Sequence, residues 1–149
     1  MFLLGFAIFL VCIVLTIILL GGNLGSFISL PSMLMIIVPL VAVLTATRSF
    51  KVFYEGMKAV ILPKAPITEE LRGQAASLFR LLSKMTAIIS AIEVLICLIN
   101  MFAALDYTYP DFHTYIGPNV AAASVVLVYG LFLIVAVFEP AVFNLKKRR

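Results

Sequence analysis

The chain has 149 residues, 64% of them hydrophobic and 12% charged, with a formal net charge of +4. A soluble domain is roughly 45–50% apolar and about 25% charged, so this composition excludes an ordinary water-soluble globule and predicts a membrane protein. The basic excess suits an anionic lipid surface, at about 1 kcal/mol per basic residue; it does not suit nucleic acid, because no basic face carries an aromatic platform.

All eleven Lys and Arg residues fall in two blocks, seven between Arg48 and Lys84 and four in the run Lys146-Lys147-Arg148-Arg149. Basic residues collect in cytoplasmic loops, and that bias sets orientation. The pattern predicts an even number of spans, with the middle loop and both termini inside.

About 20 apolar residues cross a bilayer core of about 30 Å. Four segments qualify, at about 2–20, 30–47, 85–105 and 118–138. The first lacks a basic leader and an A-x-A site, so it reads as a retained anchor and not a signal peptide. Gly21-Gly22-Asn23 and Gly25 predict a tight outside turn. The second span carries Pro39. Past Ala46, no breaker except Gly56 precedes Pro63, so this helix is expected to project into the cytoplasm. Pro63 and Pro66 turn the chain, and Thr68 caps the next helix, with Glu69 and Glu70 in its first turn. Leu71, Ala75, Leu78, Leu82 and Met85 recur at helical spacing and run straight into the third span. The expected fold is an all-α membrane protein with four transmembrane helices, the second and third extended into the cytoplasm. The 48–84 segment forms a cytoplasmic helical hairpin, and 144–149 a basic tail, in one membrane domain. Pro118 is expected in the first turn of the fourth helix, and Glu139-Pro140 at its end.

Polar residues inside the spans are the candidates for function. Thr86, Ser90, Glu93, Cys97 and Asn100 follow steps of four, three, four and three, which places them on one stripe of a helix. A charged residue at that depth costs on the order of 2.5–3.5 kcal/mol on insertion scales. No basic residue in any span can pair with Glu93. It is either a proton or cation site, or a neutral side chain hydrogen-bonded between helices as packing. In the fourth span Gly117, Ala121 and Ser124 form a small-residue surface that allows close helix approach. Cys12 and Cys97 read as small packing residues without metal or redox spacing. His113 has no triad or metal partners. No cofactor site, metal site or catalytic constellation is expected, and an enzyme is not.

The stretch from Ile99 to Asn144, INMFAALD and then IGPNVAAASVVLVYGLFLIVAVFEPAVFN, resembles the last two spans of the MotA/TolQ/ExbB proton-channel family, and its MotA branch most of all. The features that carry the resemblance are Asn100 to Asp106, Ile116-Gly117-Pro118, Ala121 to Ala123, Tyr129-Gly130 and Pro140. Gly21-Gly22-Asn23, Ile28 to Val43 and Phe79-Arg80-Leu81-Leu82 are similar more loosely.

The resemblance implies a homo-oligomeric ring, typically a pentamer, in a bacterial inner membrane. The ring would surround the single-span helix of a MotB- or ExbD-like partner that carries the essential Asp, and proton flow between them would drive force. Glu93, Ser90, Asn100 and Ser124 are then the ion-path candidates, and Gly117, Pro118, Ala121 and Pro140 the helix-packing ones. Two departures accompany it. The family's hydroxyl positions fall on Val94, Val126 and Leu127, and the cytoplasmic segment is far shorter than in flagellar members. A structural membrane subunit without conduction and a small homo-oligomeric proton-coupled transporter are the alternatives.

Overall fold

A computed structural model describes residues 2–19, 21, 24–62, 65–103 and 112–147 of the chain. Gly22-Asn23, Pro63, the loop acids Asp106 and Asp111, and Arg148-Arg149 lie outside them. The described elements are all helical: α1 (Phe2–Leu19), a 3₁₀ turn (Leu24–Phe27), α2 (Leu30–Ala46), α3 (Phe50–Ile61), α4 (Glu69–Ala103), α5 (Phe112–Phe132), a π-helical segment (Leu133–Phe138) and α6 (Glu139–Lys147). Three helices are long and apolar enough to cross a membrane, and four if the bent pair α2–α3 counts as one span.

Local chemistry sets the helix ends. Gly21, at φ +71°, donates its N–H to the Ile18 carbonyl at 3.0 Å and closes α1 in a conformation that glycine adopts freely. Ser29 caps α2 through the Ser32 N–H, with Pro31 in the first turn. Thr68 caps α4 through the Leu71 N–H as expected, and Arg72 pairs with Glu69 at 3.1 Å.

The second helix does not project onward. α2 runs through Pro39 but stops at Ala46, and α3 departs at 114°. The Ser49 N–H bonds the Leu44 carbonyl at 3.0 Å, the Arg48 N–H bonds the Thr45 carbonyl at 3.1 Å, and Arg48 sits at φ +51°. This is a Schellman termination with arginine in the left-handed position that glycine usually fills. The amphipathic α3 then folds onto α4, where Gly56 lets its backbone approach Ala75 and Phe79.

The fourth helix departs from expectation at both ends. It begins at Phe112, so Pro118 lies in its interior and not in its first turn; the lost hydrogen bond affects a single position near the helix end. At the other end Glu139-Pro140 does not stop the chain. The preceding turns widen to π geometry, and the Glu139 N–H bonds the Ile134 carbonyl five residues back. That shift in register accommodates the missing N–H of Pro140, and the helix continues as α6.

The core gathers toward the end of the bundle that holds Arg48, Arg80, Lys84, Lys146 and Lys147. Ile36, Leu40 and Leu44 of α2 pack with Leu78, Phe79 and Leu82 of α4, Phe138, and Ala141, Val142 and Leu145 of α6. Phe79 stacks on Phe138 and meets Phe53 of α3. α1 leans on the end of α5 through Phe6 and Phe9 against Phe132.

The helices are not level. The Tyr129 hydroxyl donates to the Phe27 carbonyl and accepts from the Ser29 N–H, which fixes the start of α2 beside the last turn of α5. Gly117 lies twelve residues before Tyr129, about 18 Å along the helix at 1.5 Å per residue. The α4–α5 pair therefore extends well past α2, and on α4 beyond Ser90 only Cys97 is buried.

Candidate functional site

The polar stripe of α4 lies in its seam with α5, built by close approach of two helices. Thr86 is wholly buried and returns its hydroxyl to the Leu82 carbonyl at 2.8 Å, the usual economy of a helical threonine. Ser90 is buried against Gly130 of α5, where a Cβ would collide with its hydroxyl. The Ser90 Oγ has no hydrogen-bond partner among the described residues. One turn onward Glu93 is partly buried, with no hydrogen bond or ion pair among the described residues. Cys97 completes the buried part of the stripe.

The remaining sequence candidates divide. Asn100 continues the helical spacing but is exposed. Ser124 is exposed and donates its hydroxyl to the Val120 carbonyl at 2.8 Å. It stands on a different face from Ala123, Val126 and Gly130, which are buried. The structure therefore brings Ser90 and Glu93 together in the seam and leaves Asn100 and Ser124 outside it. Gly117 and Ala121 share the exposed face of Ser124, and Pro118 is also exposed; Pro140 is partly buried at the α5–α6 junction. Of the two cysteines, Cys97 is packed as expected, whereas Cys12 is exposed on α1.

Three polar contacts escaped the sequence reading. Ser83 donates to the Glu139 carboxylate at 2.9 Å, tying α4 to α6. The Tyr129 hydroxyl holds the turn before α2, and the Ser29–Ser32 hydroxyl pair closes at 2.9 Å beside it. The first two have no local signature, since they join residues more than 50 positions apart. A cavity of about 330 Å³ between α1, α2 and α5 is lined by apolar side chains such as Leu10, Met33 and Phe132, with Tyr129 at its wall. It offers no charged group to a polar ligand. Among the described residues no three His, Cys, Asp or Glu side chains converge as metal ligands would.

What the seam can do chemically is limited and specific. Its polar groups are the partly buried Glu93 carboxyl and, one turn before it, the buried Ser90 hydroxyl that has no partner among the described residues. No family model, no curated protein and no solved structure matches this chain.

Proposed function

We propose that this chain is a MotA/ExbB-like multi-pass subunit of an ion-motive-force-driven stator or proton-channel complex in a bacterial inner membrane. In this reading the chain forms a ring around the single-span helix of a partner subunit, with its basic end in the cytoplasm. The observation that carries it is Glu93, a carboxyl group partly buried in the α4–α5 seam, amid apolar surface and without an ion pair among the described residues. Ionisable groups within membrane spans are rare and face a bundle interior or a water-filled cavity, the placement that an ion or proton pathway needs. The unpaired Ser90 hydroxyl one turn away supplies a second polar station. The exposed Gly117, Ala121 and Ser124 face of α5 is the surface that would meet neighbouring subunits or the partner helix.

A structural subunit without conduction is the second reading. The exposure of Asn100 and Ser124 favours it, because two of the four path candidates do not line the seam.

The two readings separate on purification and on one substitution. The channel reading expects the chain to bring down a single-span partner carrying a membrane Asp, and expects Glu93→Gln to assemble normally but lose proton leak in vesicles with that partner. Assembly with unchanged proton flux in Glu93→Gln assigns the residue to packing. A stable dimer without a partner refutes the ring.

A further inference from the structure

α3 has three faces of different chemistry. One is packed against the bundle, with Gly56, Ala59 and Val60 buried and Val52 and Phe53 partly so. The opposite half is exposed, but it is not uniformly polar. Phe50, Tyr54 and Ile61, at steps of four and seven, form one strip and are 49%, 65% and 37% exposed. Lys51 and Lys58 form the adjacent strip, continued by Arg48 at the bend. Glu55 is the only acidic residue of the helix, and it is partly buried.

The bend sets this helix apart from the others. With α2 along a membrane normal, a turn of 114° leaves α3 within about 24° of the membrane plane. It lies where the apolar runs of α1 and α2 end, in contact with α6, which carries Lys146 and Lys147.

We propose that α3 is an interfacial helix that seats on the anionic headgroup layer of the leaflet at the basic end. This rests on the chain being a membrane protein but not on its conducting ions. Phe50, Tyr54 and Ile61 enter the acyl boundary, while Lys51, Lys58 and Arg48 reach lipid phosphates. Aromatic rings and snorkelling lysines are the side chains that a bilayer interface accommodates, because each has an apolar body and a polar or charged tip, or a ring that tolerates both media. Water leaves the aromatic strip unsatisfied, and hydrocarbon leaves the lysines unsatisfied; the interface satisfies both.

The chain contains no tryptophan, so Tyr54→Trp creates a single reporter. The full chain is reconstituted at high lipid dilution in vesicles of phosphatidylcholine, or of phosphatidylcholine mixed equally with phosphatidylglycerol, with one lipid brominated at a shallow position. Ile99→Trp, at a position 64% exposed on the apolar part of α4, reports insertion, and Glu70→Trp reports an aqueous site. Phe50→Trp repeats the measurement on the same strip should Tyr54→Trp fold poorly. The expected result is strong quenching of the α3 reporter, greater with brominated phosphatidylglycerol than with brominated phosphatidylcholine. Lys51→Gln and Lys58→Gln should each lower that preference by up to roughly fivefold. An α3 reporter as unquenched as Glu70→Trp, beside a quenched Ile99→Trp, overturns the proposal and leaves the membrane reading intact. An unquenched Ile99→Trp overturns the membrane reading itself. Blue-shifted but unquenched α3 emission means that another protein surface covers the strip, which also overturns the proposal. Equal quenching by both lipids overturns the role given to the lysines.

Discussion

Gly130 of α5 lies so close to Ser90 of α4 that an added methyl group would strike the Ser90 hydroxyl and stand 3.0 Å from its Cβ. The missing side chain thus sets the spacing of the two longest helices, and Ser90 fills that space while its hydroxyl stays unpaired. Gly130→Ala is expected to destabilise the protein by about 1–3 kcal/mol, as overpacking does. Ser90→Ala removes a buried polar atom that has no partner among the described residues, and should be neutral or stabilising by up to about 1 kcal/mol. Thermal unfolding of the purified protein in detergent reads both, and the double variant should recover part of the loss.

Arg48 occupies a left-handed backbone position at φ +51°. Glycine adopts that conformation without the steric cost carried by an L side chain. Arg48→Gly is expected to preserve the bend and raise stability by about 0.5–1 kcal/mol. Arg48→Val should lower stability, because β-branching is poorly tolerated there. The pair of variants should move the thermal midpoint in opposite directions.

Two helical glycines predict opposite responses to the same change. A Cβ at Gly56 would stand 2.8 Å from the Ala75 Cβ and 3.0 Å from a Phe79 ring carbon. Gly56→Ala should therefore cost about 1–3 kcal/mol and loosen α3 from α4. Gly73 meets nothing within 4 Å, and Gly73→Ala should gain about 0.5–1 kcal/mol from helix propensity. Limited proteolysis near the α3–α4 connection, compared for the two variants, adds a local reading to the thermal one.

The hydrogen bond from Ser83 to Glu139 crosses between α4 and α6 at 2.9 Å. Ser83→Ala is expected to cost about 1 kcal/mol, the net contribution of one such bond. In a double-mutant cycle with Glu139→Ala, the coupling energy should fall between about 0.5 and 1.5 kcal/mol. A coupling near zero would mean that the carboxylate is satisfied equally well by water.

The outline of the fold was legible because apolar length and capping chemistry are local. The start of α2 at Leu30, the Thr68 cap and the unbroken run of α4 all follow from neighbouring residues. The bend after Ala46 was hidden because arginine, and not glycine, holds the left-handed position. The continuation of α5 into α6 was hidden because Pro140 normally stops a helix, and only a shift to five-residue hydrogen bonding lets it pass. In the candidate site, helical spacing correctly grouped Thr86, Ser90 and Cys97 as one buried face. It could not show that Asn100 and Ser124 would be exposed, because that depends on where neighbouring helices end. The start of α2, for one, is held by the Tyr129 bonds, across about 100 positions in the chain.

That same tyrosine gives the molecule a cantilever. The outer parts of α4 and α5 are clamped at one end, where α2 and α6 join them in the core, and beyond Ser90 they rest chiefly on each other. Local stability along α4 therefore has a direction, greatest near Phe79 and least toward Ala103, since opening costs follow the density of buried contacts. Glu93 sits three residues past Ser90, where the buried contacts of α4 begin to thin.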